Sequence, residues 1–177
     1  MLCCCINQLF AEWIYDEYHC WTDENGVTWN FYVDDYSNNA RAVILSVSGN
    51  GTELVIPNTV PFESFTATVS QFGLAVGVFE DTNNPITKIT LPSTIKTIGG
   101  YAFLGCSNLT NIEGLSGCTS IETCAFSGCL SLTNIDLPAC TTIGDRAFGK
   151  IEGYDGCPSL TSVNLPECTS LGADAFD

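Results

Sequence analysis

Basic residues are scarce in this chain: five Lys and Arg stand against twenty Asp and Glu, giving a formal net charge of -15. Holding a nucleic-acid backbone requires Lys and Arg clustered on one face, so this balance excludes a general phosphate-backbone binder. Histidine is rarer still, with His19 alone. A nucleophilic cysteine needs a base within reach, and this one imidazole lies far in sequence from Cys124, the cysteine that stands apart from the repeating pattern. No apolar run approaches the 18 residues of a membrane-spanning helix. Residues 1–10 lack a basic n-region and a secretory h-region, so no targeting signal is visible. What is not lacking is apolar content: 45% of residues are hydrophobic, which argues for a folded core.

What fills the chain from Ile86 onward is a repeat. Leu109, Leu132 and Leu160 each open a unit of the form Leu-Thr-x-(Ile or Val), then Cys-Thr-x-(Ile or Leu), then Ala-Phe. The interval from Phe103 to Phe126 is 23 residues, from Phe126 to Phe148 it is 22, and from Phe148 to Phe176 it is 28. Periods of this size mark stacked coils, in which no unit buries its apolar face without neighbours. Ile98, Ile121, Ile143 and Leu171 form one apolar column, and Ile89, Ile112, Ile135 and Val163 form another. Leu91, Leu115, Leu137 and Leu165 form a third, and the four Phe residues a fourth. The units are 86–108, 109–131, 132–159 and 160–177. A degenerate coil precedes them over 51–85, where Leu54, Ile56 and Pro57 match Ile89, Leu91 and Pro92, and Val78-Phe79 match Ala102-Phe103.

Each unit alternates polar and apolar residues around its second apolar position, which predicts a half-buried strand. Stacked coil on coil, these strands are expected to make one continuous parallel sheet, closed off by Pro92, Pro138 and Pro166. Residues 1–50 read as an acidic, aromatic, non-repeating cap. Within it, 28–33 and 42–47 predict a β-hairpin that covers the first coil, and 9–18 a short helix.

Eleven cysteines invite a disulfide framework, but most occupy repeat columns. Cys118, Cys140 and Cys168 take the place held by Ile95 in the first clear unit, and Cys106, Cys129 and Cys157 form a second file. Their side chains point inward in parallel, so buried reduced thiols are expected. Cys124 aligns with Tyr101, Arg146 and Asp174 and is expected to be exposed. Cys3, Cys4 and Cys5 with His19 and Cys20 lack metal-ligand spacing, so no metal or other cofactor is expected. Asp23-Glu24-Asn25-Gly26 lacks the alternating carboxylates of a calcium loop.

The run Leu132-Thr-Asn-Ile-Asp-Leu-Pro138 followed by Ile143-Gly-Asp-Arg-Ala-Phe148 resembles the BspA-type, or Treponema pallidum-type, leucine-rich repeat. The resemblance is strong over 86–177 and weak over 54–85. It implies a mainly β fold: a right-handed leucine-rich repeat solenoid with a parallel sheet, short 3-10 or helical turns and an N-terminal β-hairpin cap. It also implies a location at the cell surface or outside the cell, and a noncatalytic module that binds proteins of a host matrix or of other microbes.

Residues flanking the second apolar position of each strand point away from the core. They give two surface ladders, Lys88, Asn111, Asn134 and Ser162, and Thr90, Glu113, Asp136 and Asn164, as the candidate partner-binding face. A second candidate is the insertion after Phe148, with Tyr154 and Asp155 at its tip. The competing functional reading is a spacer or stalk that presents another domain. The chain stops at Asp177 just after a Phe column, as expected of an excised array, and self-association through the uncapped last coil is the other expectation.

Overall fold

The computed structural model describes residues 19–33, 40–48, 51–62, 65–73 and 85–177. The expected helix over 9–18, the turn over 34–39, the Cys3 to Cys5 run and the Val78-Phe79 match lie outside these residues. The described chain is almost entirely strand and turn, with one short 3-10 turn at Leu115–Gly117.

Two families of parallel strands alternate along the repeats. The first comprises β8 (Thr97–Ile98), β10 (Ser120–Ile121), β12 (Thr142–Ile143) and β14 (Ser170–Leu171). Their register places Ile98, Ile121, Ile143 and Leu171 side by side, as the column alignment predicts. The second comprises β4 (Glu53–Val55), β7 (Lys88–Thr90) and β9 (Asn111–Glu113), and then β11 (Asn134–Asp136) and β13 (Ser162–Asn164). Leu54 pairs with Ile89 and Ile89 with Ile112, so the degenerate coil joins the array in the expected register.

The β-hairpin covers the first coil as expected, and does so edge to edge, by extending its sheet. Strands β2 (Thr28–Val33) and β3 (Arg41–Ser48) pair antiparallel, and β1 (His19–Thr22), which the sequence pattern did not reveal, adds to β2. Strand β3 then runs parallel to β6 (Phe65–Phe72), and β6 continues into β8. Strand β5 (Thr59–Phe62) pairs antiparallel with β6 off this path. Joining edge to edge covers the β6 edge of the first coil, which is what a cap must achieve, while β4 is the end strand of its own sheet.

One core runs through cap and repeats, from Trp29 and Phe31 to Ala175. The Phe file is its spine: Phe103 on Phe126, Phe126 on Phe148, and Phe148 on Phe176 all stack at 5.0 Å between ring centroids. Phe72 of the cap-side sheet stacks on Phe103 at the same distance. That spacing is the rise of a parallel strand ladder, so coil stacking and ring stacking satisfy one geometry. In the last coil the columns emerge into solvent. Val163 is 38%, Leu171 59% and Phe176 41% exposed.

Two expectations are corrected. The strand family that carries the polar ladders is not one continuous sheet, for β4-β7-β9 and β11-β13 are separate. The break falls where the interval between the two strand families shortens by one residue. Ile89 to Ile98 and Ile112 to Ile121 are nine residues apart, but Ile135 to Ile143 and Val163 to Leu171 are eight. In the second coil the extra residue is Gly114, at φ 90, which opens the 3-10 turn directly after β9. Cys124 is the other correction: it is 4% exposed, not on the surface. It shares a left-handed backbone with Tyr101, Arg146 and Asp174, but its thiol is short and apolar and stays close to the backbone where those longer or charged side chains reach toward water.

Candidate functional site

The predicted ladders lie on the outward side of the second strand family. The pairing aligns Lys88 with Asn111 and Thr90 with Glu113, and separately Asn134 with Ser162 and Asp136 with Asn164. The same register adds two residues that sequence reasoning left out. Glu53 stands beside Lys88, and Val55 beside Thr90, with Val55 68% exposed. The match of Leu54 to Ile89 was the signal that could have found them, since the flanking residues follow from it.

The two halves of this face differ chemically. On the first, Lys88 Nζ lies 2.8 Å from Glu113 Oε1. Glu113 also accepts from Asn111 Nδ2 at 3.2 Å and from Thr90 Oγ1 at 3.5 Å. The hydrogen bond to Glu113 raises the Lys88 pKa, against a smaller opposing effect of burial. The reciprocal bond from Lys88 holds the Glu113 carboxyl below its ordinary range. On the second half, Asn164 Nδ2 donates to Asp136 Oδ1 at 2.7 Å, and Asn134 and Ser162 stand exposed. This half presents neutral amide and hydroxyl groups with one carboxylate, and no cation.

Backbone support for the face comes from threonines whose role the repeat motif carried but did not explain. Thr87 Oγ1 donates to Thr52 O, Thr110 Oγ1 to Thr87 O, and Thr161 Oγ1 to Thr133 O. On the opposite strand family Thr119 donates to Lys96 O, Thr141 to Thr119 O and Thr169 to Thr141 O. Each hydroxyl thus satisfies a carbonyl one coil back and holds the strands in register.

The insertion takes a different course from a free binding loop. Ile151 and Tyr154 bridge each other, and Lys150 Nζ approaches Asp155 Oδ1 at 3.5 Å. Asp155 is exposed, but Tyr154 is only half-exposed because its ring lies over Gly105 and Gly128.

The cysteines expected in the core are free thiols in their files. Cys118, Cys140 and Cys168 each direct Sγ to the carbonyl two residues on, at 3.3 to 3.4 Å. Burial pushes the Cys106 thiol up to about 12 and the Cys118 thiol up to about 11. Such thiols are protonated and inert near neutrality. His19 packs its ring 5.8 Å from Phe31 in the cap. Four strands separate β1 from β10, the strand preceding Cys124, which is roughly 24 Å at the ordinary strand spacing.

Residues 74–177 match the sequence profile described as BspA type leucine rich repeat region (6 copies). No curated protein matches the chain. Among solved structures it is similar to the leucine rich repeat protein of T. pallidum, at 26% identity and TM-score 0.65, over 82% of this chain and 63% of that one. It is also similar to a leucine rich cell surface protein from Faecalibacterium prausnitzii, at 23% identity and TM-score 0.60, over 92% of this chain and 52% of that one. The pneumococcal vaccine antigen PcpA superposes with TM-score 0.62 at 20% identity, over 89% of this chain and 47% of that one. The chain therefore spans about half to two thirds of the length of these proteins. No helix among the described residues is long and apolar enough to cross a membrane. With the profile matched over more than half its length, and with stacked columns that its own residues build, the chain belongs to the BspA-type leucine-rich repeat family.

Proposed function

We propose that this chain is a noncatalytic, cell-surface or secreted interaction module that binds a protein partner, in a host matrix or on another microbe, through the outward face of its ladder-bearing strands. The observation that carries this reading is the half-face of Asn134, Asp136, Ser162 and Asn164. There, exposed polar side chains sit on a rigid stacked scaffold. Rigid, pre-ordered polar surface binds at low entropic cost. The resemblance to a cell-surface leucine-rich protein supports the location. Asp155 at the insertion tip extends the proposed contact area to a second edge.

The test is a binding screen of the intact chain against matrix and microbial surface proteins. It is followed by the double variant Asn134→Ala with Asp136→Ala, and by a control pair, Thr142→Ala with Ser170→Ala, on the opposite strand family. Loss of roughly tenfold or more in affinity in the first pair and not in the second is expected, since polar anchors in an interface carry about 1–2 kcal/mol each. Equal affinity in both would discard the face.

A spacer role is the second reading, and a specific observation favours it. Lys88, Glu113, Asn111 and Thr90 already satisfy one another. If no surface protein binds, the stacked array acts as a rigid separator.

A further inference from the structure

Two irregularities interrupt this array, the split between β9 and β11 and the insertion over 149–156, and they fall at the same step. The split separates the second coil from the third. The insertion belongs to the third coil and reaches backward. Its tip carbonyl, Asp155 O, accepts from Gly128 N of the second coil at 2.7 Å. One coil earlier, Gly105 N donates to Ser127 O at 2.9 Å, so the insertion supplies the acceptor that the next regular coil would have placed there. The Tyr154 ring then crosses two coils. A Cβ added at Gly105 would stand 2.8 Å from Tyr154 Cε1, and one at Gly128 2.9 Å from Tyr154 Cδ1. Both glycines have positive φ, at 71 and 79 degrees. At its start, Lys150 N donates to Asp177 O of the fourth coil at 2.8 Å.

We infer that the insertion is a strap: it fastens the second coil to the third on the turn side of the solenoid, where it compensates for the strand ladder lost between them on the opposite side. Tyr154 is its buckle, and Gly105 and Gly128 are the seat. Beneath the strap, Ser127 is fully buried with its hydroxyl 3.0 Å from Arg146 O and 2.7 Å from Gly149 O, which fixes the origin of the loop to the second coil. The regular form Phe-x-Gly-Cys of the first two units reappears if 150–155 are removed, leaving Phe148-Gly149-Gly156-Cys157. The added segment is therefore a discrete addition to an otherwise ordinary coil.

The experiment is a thermodynamic cycle read with hydrogen exchange. Tyr154→Ala is expected to lower Tm by about 3–6 °C and to speed exchange of the Gly128 amide roughly tenfold. Tyr154→Phe, which keeps the ring, should preserve both. Gly105→Ala should lower Tm more in the native background than in Tyr154→Ala, because the nearest atoms its methyl meets are all those of the Tyr154 ring. Deleting 150–155 should raise exchange in β10 and β12 while the Phe file persists. Equal cost of Gly105→Ala in both backgrounds, or unchanged protection of the Gly128 amide in Tyr154→Ala and in the deletion, would overturn the strap. Neither result depends on the partner-binding face.

Discussion

At the scale of single residues, the thiol files show how a repeat position is specified by more than size. Ile95 and the cysteines after it fill the same column, yet a thiol also offers a weak donor to a carbonyl that isoleucine leaves alone. Burial of these thiols carries a pH consequence. The folded-state pKa of Cys106 and Cys118 is raised above the ordinary value of 9.0, so both states are protonated below about pH 9 and the full stability is present there. As pH rises further, the unfolded chain ionises and the folded one does not. Stability should fall by about 1.4 kcal/mol per pH unit for each such thiol between the unfolded and folded pKa values. Urea midpoints measured from about pH 8 to about pH 11 should show this decline, and Cys118→Ala should flatten it. A slope unchanged by that substitution would place the alkaline sensitivity elsewhere.

At the scale of elements, Gly114 sits where the exposed strands stop pairing, directly after β9. Its φ of 90 is a conformation that side-chain-bearing residues adopt at a cost, and a Cβ there would collide with the Leu91 carbonyl of the coil beneath. Gly114→Ala should therefore lose about 2–3 kcal/mol or more, measured by urea unfolding. Gly153 is the comparison: its φ is also positive, at 85, but a Cβ there meets nothing within 4 Å. Gly153→Ala should cost only the backbone strain, about 1 kcal/mol. Similar losses at both sites would show that contact with Leu91 contributes little.

At the scale of the whole molecule, two opposing forces set its behaviour in solution. The last coil exposes Val163, Leu171 and Phe176, apolar members of columns that are buried elsewhere. Their burial against a second copy is favourable, while a net charge of -15 repels like molecules. Salt screens the repulsion and leaves the apolar term in place. Sedimentation should show association that strengthens as ionic strength is raised, and Leu171→Lys should weaken it. Association that salt weakens would instead identify ion pairing as its source.

Periodicity alone determined a great deal. Ile98, Ile121 and Ile143, and Phe103, Phe126 and Phe148, are in file because a side chain recurring once per coil must meet its counterpart in the next. The eight ladder positions follow from strand alternation in the same way. The two-strand hairpin at 28–33 and 42–47 was likewise legible, because alternation and turn residues mark it locally. Other features depend on how unequal neighbours fit together, and no single coil encodes them. The break after β9 coincides with a one-residue difference between adjacent coils. Cys124 is buried in a column whose other members, Tyr101, Arg146 and Asp174, are more exposed. Tyr154 looked like a solvent-facing tip until the chain folded back over two glycines far away in sequence. Sequence pattern records what each coil repeats; the tertiary structure decides what happens where consecutive coils differ, because only there do backbone paths of unequal length compete for one contact.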